Sequence, residues 1–192
     1  MANAFWGIVP SDKLLSDMEL QLTHARIENW LHHDLFTWQW WLLVSVLIVP
    51  WFIWWHYVDR KRVVEIALFG AIILIISSFL DSVLSEFVMW SYDYEIIPVW
   101  PRLISADFSV MPITYMFIYQ YSKEWKDFLL IMIFVAAAFA FIGEPILMWL
   151  KIYKLHQWKH IYSFSIYIAL GIFTRYLILT LRGKQNQAKS RA

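Results

Sequence analysis

The chain has 192 residues, 60% of them hydrophobic and 16% charged, with a net charge of +1 and a mean hydropathy of +0.53. Soluble domains carry about 45–50% apolar and about 25% charged residues. This balance therefore excludes an ordinary water-soluble domain, and the near-neutral charge offers no field for nucleic acid. The absence of cysteine removes disulfides, thiolate metal sites and cysteine nucleophiles.

In chain order, the opening MANAFWGIVP lacks the basic region and full apolar core of a secretory signal and is expected to be retained. Ser11 to His33 is predicted as an amphipathic helix, with Pro10 and Ser11 at its start and Leu15, Met18, Leu22 and Ala25 at helical spacing. It is expected to lie on the outer membrane surface as a cap over the bundle, or to bind a partner. Residues 1–37 thus form an extracytoplasmic N-terminal segment.

Five apolar stretches follow: Trp38 to Tyr57, Val63 to Trp90, Ile104 to Tyr121, Phe128 to Leu150 and Ile161 to Leu181. Each is long enough to span a bilayer as a helix, which takes about 20 residues. The expected fold is an all-α polytopic bundle of five transmembrane helices over 38–181, and its length leaves no room for a second domain. The second stretch exceeds what a bilayer requires and must tilt or emerge near Glu86 to Trp90. The tail after Arg182, GKQNQAKSRA, is polar and basic and is expected to be disordered. No internal repeat stands out.

Positive charge near helix ends resists translocation. Arg60, Lys61, Arg62, Lys123, Lys126, Arg182, Lys184, Lys189 and Arg191 share one side, and outnumber Lys13, Arg26, Arg102, Lys151, Lys154 and Lys159 on the other. The bias places the N-terminus outside and the C-terminus in the cytoplasm. Tryptophans gather at the predicted span ends, as at Trp38, Trp40, Trp41, Trp54, Trp55, Trp90, Trp100, Trp125, Trp149 and Trp158, where amphipathic rings anchor at the headgroups. The competing role for these rings is a ligand pocket.

The informative side chains are acids within spans, because an ionised group at mid-bilayer costs about 2.5–3.5 kcal/mol on insertion scales. Asp81, Asp107 and Glu144 each fall about one turn below the outer boundary at 1.5 Å of rise per residue. Ser78, Asp81, Ser82, Ser85 and Glu86 form a stripe at helical spacing that must face protein or water. Pro112 and Pro145 cannot donate to the carbonyls of Phe108 and Phe141, which frees two acceptors near the same depth. Arg102 lies just before the third span. His156 and His160, four residues apart before the fifth, suit two ligands of one transition metal if that helix begins early. Arg175 is expected to reach the cytoplasmic interface by snorkelling.

The series Tyr94, Pro98, Pro101, Asp107, Pro112, Tyr119, Trp125-Lys126, Glu144-Pro145, Tyr153, Trp158 and Tyr162-Ser163 resembles that of a family of small five-span membrane proteins of Gram-positive spore-forming bacteria. The resemblance covers roughly residues 36–182. It implies a bacterial cytoplasmic membrane location and draws attention to Asp107 and Glu144, but brings no activity, substrate or cofactor.

The leading expectation is a non-enzymatic sensor or accessory protein. Its outward-facing pocket, built from Asp81, Asp107, Glu144, Arg102, Ser78, Ser82, Ser85 and Glu86, would bind a small polar or cationic ligand or a lipid headgroup. The expected partners are the bilayer, that ligand and a second copy of the chain, although no GxxxG stretch marks a contact face. Three alternatives remain open: an intramembrane enzyme using carboxylate acid and base chemistry on a lipid or isoprenoid, a small transporter, and a purely structural latch that fixes helix register.

Overall fold

The computed structural model describes residues 11–99 and 102–191, the last three by backbone alone. Pro10, Trp100 and Pro101, invoked above, lie outside the described residues, as do the opening ten residues. Helix α1 (Asp12–Asn29) starts where Ser11 Oγ accepts the Leu14 amide at 3.3 Å, an N-cap. It runs into a π-helical turn, Trp30–Asp34. Thr37 caps α2 (Trp38–Tyr57) in the same way, and α3 (Val63–Glu86) follows. The third helical segment consists of a π-helical turn, Ala106–Val110, and α4 (Met111–Tyr121). The fourth is continuous over Trp125–Trp149 and comprises α5 (Trp125–Ala138), a π-helical turn (Phe139–Gly143) and α6 (Glu144–Trp149). The last is α7 (His160–Arg191).

Among the described residues, four helices are long and apolar enough to cross a membrane: Trp38–Tyr57, Val63–Glu86, Trp125–Trp149 and His160–Ala188. Only 17–33% of each apolar stretch is buried inside the molecule. Side chains such as Phe52, Val64, Phe134 and Trp149 therefore project outward, at 72–80% exposure, on a surface suited to lipid. The predicted third span is not among these four. Its segment is helical, but Ser105, Asp107, Ser109, Thr114 and Gln120 dilute its hydropathy, and it is wrapped by its neighbours, with Tyr115 and Met116 buried.

Helix α4 packs against α3, and its π-helical turn packs against α2. Helix α7 packs on α3 and α5. The principal core joins Ile66, Phe69 and Ile73 to Met116, Tyr119, Phe128, Met132 and Leu170. Gly70 permits the α3–α4 approach, since a Cβ there would lie 2.5 Å from Met116 Sδ. A second cluster, centred on Leu43, Leu103 and Ile152, sits at the opposite end from the α4–α5 connection.

That end is closed by a two-stranded antiparallel ribbon, β1 (Trp90–Tyr92) and β2 (Tyr153–Leu155), with Trp90 opposite Leu155 and Tyr92 opposite Tyr153. Both strands leave helices through the same device. The Met89 amide donates to Leu84 O and the Val88 amide to Ser85 O, and the Ile152 and Lys151 amides donate likewise to Leu147 O and Met148 O. These are Schellman closures, with Val88 (φ 55°) and Lys151 (φ 59°) in the left-handed position.

Several elements differ from the sequence reading. The second apolar stretch ends its helix at Glu86, so Trp90 belongs to a strand. Helix α1 forms, but Leu20, Ile27 and Leu31 lie on the side opposite Leu14, Leu15, Met18 and Leu22, and all are exposed. Two opposed apolar stripes leave α1 without one membrane-facing side. The tail after Arg182 continues α7 as helix to Arg191, exposed over 183–188, because GKQNQAKSR follows an established helix and holds no proline.

Candidate functional site

Asp81 of α3, Asp107 of the π-helical turn before α4, and Glu144 at the start of α6 all line one cavity of about 450 Å³. Each carboxyl residue is 6–7% exposed. The remaining wall is mostly apolar, with Leu42, Leu43 and Val46 from α2, Leu80 and Leu84 from α3, Ile146 and Leu147 from α6, Leu150 just after it, and Ile166 and Leu170 from α7. The ribbon contributes Trp90, Tyr92, Ile152 and Tyr153, and Trp158 follows it. Ligand sites commonly combine such an apolar wall, at about 300–1,000 Å³, with a few convergent polar groups.

The carboxyls have unequal surroundings. Asp81 Oδ1 accepts from Trp90 Nε1 at 2.9 Å and from the Tyr92 hydroxyl. Trp90 and Tyr92 are two apart on β1 and so present both donors on one side of the strand. Burial, with the Asp81 charge beside it, pushes the Tyr92 hydroxyl well above its usual range and keeps it a donor. Asp81 Oδ2 and Asp107 Oδ2 are both buried without a hydrogen-bond partner among the described residues. The two acids feel each other's charge. Glu144 is fully engaged: Oε1 accepts from the Tyr167 hydroxyl at 3.0 Å, and Oε2 lies 2.6 Å from His160 Nδ1.

The rest of the expected site is elsewhere. Arg102 donates to Glu86 Oε1 at 2.9 Å and lies 3.7 Å from Glu95 Oε1. Ser82, Ser85, Glu86 and Arg102 line a separate pocket of about 220 Å³ with Thr23, Arg26, Pro98 and Val99. Ser78 is buried on neither lining, whereas Ser77, one turn before Asp81, faces the large cavity. The serine stripe is thus wider than one wall, and α3 divides it between two pockets. The large cavity is correspondingly less polar than expected.

His156 and His160 do not form a pair. Helix α7 begins at His160, so His156 sits in the bend before it, with Nε2 2.8 Å from Ser91 Oγ. Without an early helix start there is no shared face, and His160 serves Glu144. Among the described residues no group of three or more His, Asp or Glu side chains is arranged to hold a metal ion.

Two further readings are corrected. Arg175 does not snorkel. It is 3% exposed and donates to the carbonyls of Ser122 and Lys123, at 3.1 and 2.9 Å, with its guanidinium over Phe128 and Trp125. It therefore satisfies carbonyls left open at the end of α4. The Phe108 carbonyl freed by Pro112 does not remain open either, since Trp51 Nε1 donates to it at 3.0 Å.

Sequence reasoning did not single out Trp90, Tyr92, Tyr167 or Ser77 as site residues. The Trp-x-Tyr alternation was a usable signal for the first two, once a strand was recognised. It also missed a knot in the loop after β1, where the Glu95 amide donates to Asp34 Oδ2 at 3.2 Å and Trp30 Nε1 to the Glu95 and Ile96 carbonyls, each at 3.1 Å. Burial raises Glu95 to about 7 despite the nearby Arg102, and burial also raises Asp34.

The fold and this site define a helical chain of membrane-protein character with an acid-bearing apolar cavity. Comparison with protein-family models, curated proteins and solved structures finds no match to the chain.

Proposed function

We propose that this chain is a non-enzymatic binding protein of a bacterial cytoplasmic membrane. It crosses five times, has its N-terminus outside, and acts as a sensor or accessory protein for an amphiphile with a cationic, donor-rich head. The fifth crossing is the segment 104–121, whose polar residues are sheltered by surrounding helices instead of facing lipid. One observation carries the binding role: among the described residues, two carboxyl oxygens, Asp81 Oδ2 and Asp107 Oδ2, are buried without hydrogen-bond partners on the wall of a mostly apolar cavity. Buried acceptors need a donor, and a buried pair of acids either takes up a proton or meets a compensating positive charge, which a cationic head supplies. The apolar wall suits the body of the same ligand.

A headgroup series tests this reading. The full chain in phosphatidylcholine nanodiscs is titrated with dodecylamine, dodecanol and dodecyl sulfate while the difference in tryptophan fluorescence between the native chain and its Trp90→Phe/Trp158→Phe variant, which reports the cavity wall, is followed. Dodecylamine is expected to bind most tightly and dodecyl sulfate not at all. Equal response to all three would overturn it.

A second reading, intramembrane acid and base catalysis on a lipid, is favoured by the Tyr167–Glu144–His160 constellation at the same cavity. Its test is turnover of extracted membrane lipids by the purified protein. Product that persists undiminished in Glu144→Gln would count against it.

A further inference from the structure

The geometry points to a lateral doorway between α2 and α6, through which a long-chain primary amine passes from the bilayer into the cavity. This inference rests on the reading that Asp81 and Asp107 receive a cationic head, and adds the ligand's class and its route.

Leu43 and Val46 of α2, Ile146 of α6 and Leu150 just after it all line the cavity, and α2 meets the α6 side through the aliphatic cluster of Leu42, Leu43, Leu147, Leu150 and Ile152, with no extensive backbone approach among the described residues. Helix α2 rests on α4 and the turn before it, while α6, which continues the helix of Phe139–Gly143, approaches β2. Among the described residues, the aliphatic side chains of that cluster lie at the seam between them. Ile146 marks it, being a cavity-lining residue that is also 49% exposed on the outside of the bundle.

The end facing water is closed differently. Trp90 is pinned to Asp81 of α3, meets Trp158 edge-on at 5.2 Å, and lies 6.4 Å from Tyr153 of the paired strand on a hydrogen-bonded ribbon. Opening that end breaks a buried hydrogen bond and ring contacts, whereas opening the seam requires only rotamer changes of Leu, Val and Ile in contact with lipid. The lower-cost route leads to the bilayer, and a ligand using it must dissolve there. The head is a primary amine because two unpartnered acceptors require N–H donors. An alkylammonium supplies three, and a quaternary ammonium none.

The chain lacks cysteine, so Val46→Cys with Ile146→Cys introduces the only thiols. In phosphatidylcholine nanodiscs, a bis-methanethiosulfonate linker bridges the seam and reductant releases it, so the reduced protein is its own folding control. Association of dodecylamine, followed by Trp fluorescence, is expected to slow about tenfold or more on bridging, as for binding gated by a conformational change, and to recover on reduction. Dodecyltrimethylammonium is expected to bind about 100-fold more weakly than dodecylamine, the loss of charge-assisted hydrogen bonds. An unchanged rate across the bridge overturns the doorway while leaving the amine site intact. Equal affinity for the two cations overturns the primary-amine assignment. Failure of dodecylamine to bind the reduced protein overturns both this inference and the reading beneath it.

Discussion

Glu95 is the acid outside the spans whose chemistry is most altered by the fold. It is 9% exposed and lies near Arg102, Asp34, Arg26 and, more distantly, Asp81, and burial dominates to bring it to about 7. A folded-state pKa above the unfolded value of 4.5 means that the folded chain holds the extra proton between those two pH values. Stability from this group is therefore fully present below pH 4.5 and is lost as pH rises through about 7. The loss is of order 3 kcal/mol at most. Asp34, raised for the same reason, acts in the same direction. Protection factors of amides in the loop after β1, with base-catalysed intrinsic exchange divided out, should be larger at pH 5.5 than at pH 8, and Glu95→Gln should flatten that difference; protection that still falls steeply with pH in the variant would contradict the assignment. These two acids were not legible as a pair, because Asp34 and Glu95 are 61 positions apart and only the fold joins them. Asp81, Asp107 and Glu144 were legible singly, from the cost of acids in lipid. Their donors Trp90 and Tyr167 were hidden among ordinary interfacial and core aromatics.

At the level of elements, the helix ends and the close crossings make the sharpest predictions. Val88 takes a left-handed conformation that a β-branched side chain strongly disfavours. Val88→Gly should keep the Schellman closure and raise stability by about 1 kcal/mol, read as a higher unfolding temperature in detergent. Gly70→Val should do the opposite. Its new methyl groups would press on Met116, and overpacking of this kind costs about 1–3 kcal/mol. A neutral Gly70→Val would mean that Met116 moves away freely. The four longest helices were readable from apolar run length, but the π-helical turns before Pro112 and Pro145 were not. A proline removes one donor and crowds the preceding turn, and sequence alone does not say whether the helix kinks, breaks or widens there. The ribbon was likewise concealed. Its strands are three residues each, too short for an alternating pattern to stand out from the flanking apolar runs.

For the whole molecule, the segment 104–121 decides between an even and an odd number of crossings, and so whether the ends of the chain share a side. Single cysteines at Ser16 and Ala188 test this in intact cells, because the native chain has none to interfere. An impermeant maleimide should label Ser16→Cys and spare Ala188→Cys. Labelling of both, or of neither, would mean an even number of crossings. The membrane character itself was plain from composition, since hydropathy needs no tertiary information. The cavity was not, because its walls come from α2, α3, α4, α6, α7 and the ribbon, and no local pattern encodes where they leave space.

The most direct test of the central claim is the dissociation constant for dodecylamine in nanodiscs, measured for the native chain and for the double variant Asp81→Asn/Asp107→Asn. Asn keeps the size of Asp but removes the charge and replaces one acceptor oxygen with an NH2 donor. Affinity should fall about 100-fold or more as two charge-assisted hydrogen bonds are lost, with the unfolding temperature little changed. An unchanged dissociation constant in a folded double variant would mean that these acids do not hold the ligand.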